Sequence, residues 1–261
     1  MADKNYLHTA YANSADGTDG FTTVYPNLNL LDGTKDFSGN WYNTTPWYKN
    51  GNYEGLTVMS FNTGDNIGIV KPFNIPSDGI YSMSMLVKVK TDSIGQFIIE
   101  ATGKPAIIID VTDTGGKFVT QSYTGTFTTG QTVSMYFRFK SSEMVIKDGL
   151  SVAGHKIESG STTTPYMPSS SEATTADWPK YVGTYVDTNP VSSTELSKYD
   201  WDEMKYRVYL DGVPVGGSKL LSFDLENLTS GTTYNVQVNQ TNGNDESDKS
   251  ESVAFKTTLT K

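Results

Sequence analysis

The stretch GIYSMSMLVKVK, Gly79 to Lys90, alternates with a period of two. Tyr81, Met83, Met85, Val87 and Val89 fall on one side and Ser82, Ser84, Leu86, Lys88 and Lys90 on the other. Successive side chains of an extended strand point to opposite faces, so this pattern buries one face of a sheet and wets the other. TVSMYFRFK repeats the device, with Val133, Met135, Phe137 and Phe139 in register. No long stretch places apolar residues at i, i+3, i+4 and i+7, the signature of an amphipathic helix. Short runs rich in Val, Ile, Phe, Tyr and Thr are instead divided by Gly, Asn and Asp. The expected fold class is all-β, built as antiparallel sandwiches.

The strands come regularly from NLNLL (Asn27–Leu31) to KIESG (Lys156–Gly160). LTVMSFN, QFIIEAT and PAIIIDVT lie between, and Asp148-Gly149 marks a hairpin turn. After KIESG the chain runs into Ser and Thr residues with Pro165 and Pro168, which cannot donate to a ladder and so end the sheet. Before Asn27 the chain is rich in Gly, Asp, Asn and Thr, the composition of a turn-rich arm. These signals divide the chain into an arm (1–24), a β-sandwich (25–168), a linker (169–180) and a second sandwich (181–261).

The second sandwich carries a more specific pattern. Leu228-x-x-Gly231-Thr232-x-Tyr234-x-Val236-x-Val238 resembles the E–F corner of a fibronectin type III domain, an immunoglobulin-like sandwich. The resemblance implies a core-plugging Leu228, a turn at Gly231 and a Tyr234 hydroxyl bonded back to the backbone. Its first two strands must then come from about 178 to 203, with Trp201 as the core tryptophan of the second. An internal echo links YLHTAYAN (Tyr6–Asn13) with YVGTYVD (Tyr181–Asp187), as if each preceded a module as a reusable junction.

Composition narrows the function. The formal net charge is −9, which disfavours nucleic acid and anionic membrane as partners, since both attract basic proteins. With no cysteine, disulfides, thiolate metal sites and cysteine nucleophiles are excluded. The opening residues have no basic and apolar regions of a secretory signal, and no apolar run reaches the roughly 20 residues of a membrane span. The two histidines, His8 and His155, fall in different regions, and no nucleophile, phosphate-loop or dinucleotide motif appears. Most carboxylates sit in turns, so the chain is not expected to be an enzyme. No cofactor is expected. Turn carboxylates of a β-sandwich can hold a structural Ca²⁺, but no EF-hand spacing occurs. Sequons at Asn43, Asn227 and Asn239 carry little meaning without a secretory signal.

The feature most suggestive of a ligand is GNWYNTTPWYKNGNYEG, with Trp41, Tyr42, Trp47, Tyr48 and Tyr53 among Asn, Thr and Gly. Sugars pack their C–H faces on aromatic rings and exchange hydrogen bonds with amides and hydroxyls. These five residues are the candidate saccharide site. Trp41 and Trp47 can equally serve as core plugs.

YANSADGTDGFTTVYPNLNLLDGTKDFSGNW and KIESGSTTTPYMPSSSEATTADWPKYVGTYVD resemble recurring segments of tail and baseplate accessory proteins of lactococcal and streptococcal siphophages. The resemblance covers about residues 6 to 187. It implies a carbohydrate-binding-module-like jelly roll that opens at NLLDGT and closes at KIESGSTTTP. It further implies a virion component at the tail tip, made in the host cytoplasm, that aids adsorption. Its partners would be other baseplate proteins and host cell-wall polysaccharide.

Overall fold

The computed structural model describes residues 4–258; residues 1–3 of the expected arm and 259–261 of the expected second sandwich lie outside the described residues. The first strands are β1 (Tyr6–Ala12) and β2 (Phe21–Thr22). Next come β3 (Trp47–Tyr53), β4 (Leu56–Phe61), β5 (Phe73–Asn74), β6 (Gly79–Val89), β7 (Gly95–Ala101), β8 (Ile107–Val111), β9 (Val119–Phe127), β10 (Thr132–Phe139) and β11 (Leu150–Ser159). The last are β12 (Tyr181–Asp187), β13 (Asp200–Glu203), β14 (Tyr206–Leu210), β15 (Val213–Ser218), β16 (Thr233–Asn242), β17 (Asp245–Glu246) and β18 (Val253–Lys256). Short 3₁₀ turns interrupt the loops, and the fold is all-β as the period-two pattern requires.

The chain forms two compact units. Residues 28–172 make one, and residues 1–27 together with 173–261 make the other, so the first is inserted in sequence between β2 and β12.

The inserted unit is a jelly-roll sandwich of a five-stranded sheet, β3-β4-β11-β6-β9, and a four-stranded sheet, β5-β10-β7-β8. Its core draws Tyr81, Met83, Met85, Val87 and Val89 from β6 and Val133, Met135, Phe137 and Phe139 from β10. These are the two alternating sets read from the sequence. Burial of side chains of this size stabilises by about 1.5–3 kcal/mol each.

The ends of this unit are locked together by buried polar groups. The Asn29 side chain donates to the His155 carbonyl and to Thr34 Oγ1, and accepts from the amides of Leu31 and Ile157. It thereby serves the β11 backbone where a bulge between Ala153 and Lys156 breaks the ladder. Lys156 and Glu158, both on β11, are buried and 3.2 Å apart. Lys156 donates to Thr164 Oγ1 and the Pro165 carbonyl, and Glu158 accepts from the Thr164 amide and hydroxyl. Thus the Ser/Thr/Pro run after β11 is not a tail. It folds back and completes the hydrogen bonds of a buried ion pair, without which burying those charges would be prohibitive. The environment pushes Lys156 down to about 8, burial being the main cause against the opposing pull of Glu158.

The other unit holds a sheet β13-β12-β1-β2 and a second sheet in which β14 pairs with β15 and β16, and β16 with β17 and β18. The segment expected to be a turn-rich arm is therefore a strand: β1 lies antiparallel to β12 over seven residue pairs. Turn-rich composition holds only from Asn13 to Gly20, the loop between β1 and β2. Tyr11, Tyr25 and Trp178 pack as a ring cluster, Tyr11 edge-on and Trp178 stacked against Tyr25. Arg207 reaches into that cluster from β14, donating through Nε to the Tyr25 hydroxyl and pairing with Glu246. Trp201 lies on β13 against Phe21 and Tyr199, with Gly17 and Gly183 beside its ring. A methyl group at Gly183 would come within 2.9 Å of the indole, so glycine is required there. The corner spacing also forms its bond: the Tyr234 hydroxyl accepts from the Thr229 amide.

Candidate functional site

The aromatic segment is split by strand alternation. Trp47 opens β3 pointing inward. It is 5% exposed, packs edge-on against Phe61, and donates its indole N–H to the Ile67 carbonyl. It is a core plug and offers no ring face to a ligand. Trp41 is half-buried between Phe37 and His155, with ring centroids 4.7 and 5.1 Å away, and its indole donates to the carbonyls of Ser38 and Gly33. Lys71 lies 5.9 Å above its ring. Tyr42 is 60% exposed and is held by a backbone bridge to Val70.

Tyr48 and Tyr53 are on the outer face. The ladder places Tyr48 beside Ser60, Ser60 beside Ser151, and Ser151 beside Lys88. Phe118, the residue before β9, completes the row with the Lys88 ammonium 5.1 Å over its ring. All point away from the core because their neighbours Trp47, Phe61, Val152 and Val87 point into it. At about 4.8 Å per strand the row spans roughly 19 Å across five strands. The two serine hydroxyls bond to each other at 2.8 Å, and the Asn50 amide lies over them, 3.1 Å from Ser60 Oγ.

Each end of the row is an aromatic ring with a lysine against it. Tyr48 donates its hydroxyl to Asp148, and Lys147 stands 5.8 Å from its ring. That bond to Asp148 raises the Tyr48 phenol above its ordinary value. Tyr53 packs on Phe118 with centroids 4.6 Å apart, and the side chain of Glu54 raises its phenol in the same way. Glu54 and Gly55 both have positive φ, the tight hairpin turn that joins β3 to β4 and presents Tyr53. Sequence reasoning missed Phe118, Lys88 and Lys147 because they come from segments distant in sequence: the approach to β9, β6 and the turn before β11. Among the described residues no three His, Cys, Asp or Glu side chains gather as metal ligands.

His155 is fully buried between Phe37 and Trp41, with no hydrogen-bond partner for either ring nitrogen. Burial drives it down to about 3, so it is neutral at physiological pH and serves as an aromatic filler.

A solved structure described as the tripod (BppUct-A-L) from the baseplate of bacteriophage Tuc2009 matches the whole chain. The identity is 47%, coverage is 100% of both chains, and the TM-score is 0.74. The chain belongs to this family of phage baseplate proteins. Residues 179–237 of the baseplate protein also match the family model of the minor structural protein 5-like C-terminal domain, BppU-like. No curated protein matches. A carbohydrate-binding module from Cellvibrio mixtus lichenase 5A, in complex with cellotriose, is 17% identical. It covers 53% of this chain and 99% of its own at a TM-score of 0.34. The CBM22-1 xylan-binding domain from Paenibacillus barcinonensis Xyn10C is 12% identical, covering 53% and 99%, at a TM-score of 0.38. Scores this low carry no functional weight. The protein is a component of the virion baseplate and sits among other baseplate proteins.

Proposed function

We propose that this baseplate protein is a non-enzymatic accessory subunit that contacts host cell-wall saccharide through the inserted sandwich while its other unit docks on a neighbouring baseplate protein. The observation that carries the reading is the Tyr48–Phe118 row. Rings at Tyr48 and at the Tyr53–Phe118 pair, each with a lysine against it, stand on either side of the Asn50 amide, while Ser60 and Ser151 beneath that amide are buried. Exposed ring surface beside amide and ammonium groups suits a polyhydroxyl ligand. Of the five aromatic residues read from sequence, Tyr48 and Tyr53 are the contacts proposed here; Tyr42 is a further exposed ring, and Trp41 and Trp47 act through packing. Single sugar contacts are weak, and copies arrayed on a baseplate act by avidity. Millimolar-range binding by the isolated chain and firm binding by the virion are therefore expected.

The burial of Trp47 favours a second reading, a structural spacer without saccharide binding. A pull-down of the purified chain with intact host cells, and separately with the other baseplate proteins, separates the two. Cell binding that is lost in Tyr48→Ala together with Phe118→Ala supports adsorption. Binding to baseplate partners alone supports the spacer.

A further inference from the structure

A notch of about 420 Å³, lined only by residues of the unit that holds β14 and β16, opens at one end of the β14–β16 ladder. β14 starts at Tyr206, whereas β16 runs on to Asn242 and returns as β17 through Gly243, which has φ of 61°. The overhanging hairpin and the end of β14 enclose the notch. Its walls are Lys205, Tyr206, Gln240, Asn242, Asp245 and Glu246, with two hydroxyl residues between them.

The frame is rigid. Lys205 N–H donates to the Ser218 carbonyl, and its own carbonyl accepts from the Thr241 amide. Glu246 is held by Arg207, by the Asn239 amide at 2.8 Å and by the Tyr209 hydroxyl at 3.2 Å. Glu246 is paired with Arg207 and Lys205 with Glu203, 3.8 Å away, so most of the charge at the notch is already compensated and no strong anion is selected. No Leu, Ile, Val or Met lines the notch, and its apolar surface comes from ring and methylene carbons set among polar groups. One phenol ring, two side-chain amides, carboxylates and hydroxyls remain, a mixture of donors, acceptors and one flat face. The volume lies within the roughly 300–1,000 Å³ of ligand sites.

We propose that this notch is a second ligand site, shaped for a neutral, hydroxyl-rich molecule the size of a mono- or disaccharide. The proposal stands apart from the Tyr48–Phe118 reading, since its residues all belong to the other unit. The test is a nuclear magnetic resonance titration of the full chain with glucose, galactose, rhamnose and N-acetylglucosamine, following the side-chain amide signals of Gln240 and Asn242. At least one sugar is expected to shift both signals, and the same shifts are expected in Tyr48→Ala. In Gln240→Ala, which alters an exposed side chain, the Asn242 signal still reports, and the apparent affinity is expected to fall about tenfold, as loss of one or two hydrogen bonds implies. If none of the four sugars moves either signal, or if Gln240→Ala titrates unchanged, the proposal is overturned.

Discussion

Thr9 faces Thr184 at the centre of the β1–β12 ladder, with Tyr6 opposite Asp187 at one end and Ala12 opposite Tyr181 at the other. These strands are the two echoing segments of the sequence. They do not each introduce a module; they pair with each other. Proline at position 9 would abolish a ladder donor and clash within a paired strand. Thr9→Pro is expected to destabilise the unit containing β1 by about 3 kcal/mol. The inserted sandwich is expected to keep its own melting transition, and differential scanning calorimetry reads both.

Asn29 is buried and serves four partners, so Asn29→Ala strands the amides of Leu31 and Ile157 and the His155 carbonyl. Unsatisfied buried groups cost about 1–3 kcal/mol each. A loss of roughly 3 kcal/mol or more is expected in urea unfolding of the inserted sandwich.

Lys156→Met leaves Glu158 buried with only Thr164 to satisfy it. The expected cost is about 3–5 kcal/mol, and Lys156→Met with Glu158→Leu is expected to recover much of it, because removing both charges removes the desolvation penalty. A double-mutant cycle by chemical denaturation measures the coupling.

His155 is held near 3 in the folded chain against an ordinary value of about 6.5. The unfolded state therefore binds the extra proton first, and stability falls as pH drops from 6.5 toward 3. A contribution of up to a few kcal/mol is expected over that window. His155→Phe is expected to flatten that part of the stability–pH profile, measured by urea midpoints.

Trp47 and Tyr48 are neighbours with opposite expected phenotypes. Trp47→Ala opens a cavity and is expected to cost about 3–5 kcal/mol. Tyr48→Ala is expected to change stability by less than about 1 kcal/mol while reducing cell binding of the virion. Thermal melts and adsorption assays on the same pair of variants check both.

Much of the fold was legible in local pattern. The inward sets of β6 and β10 follow from period two, the end of the sheet from Pro165 and Pro168, and the Tyr234 corner from its spacing, because each depends on residues close in sequence. The buried pair Lys156–Glu158 was visible as letters but not as a pair, since its third partner, Thr164, matters only after the chain has turned back.

What sequence alone determined is the all-β class, the position of the alternating core strands and the resemblance to baseplate proteins. Tertiary structure decided which strands are neighbours. It turned an apparent arm into β1 and put Trp47 inside while leaving Tyr48 outside. It also drew Phe118 to Tyr53 from across the chain and set Lys88 over the Phe118 ring. Side-chain direction is set by local alternation, but strand pairing is settled by long-range burial and hydrogen bonding, which no short stretch of residues contains.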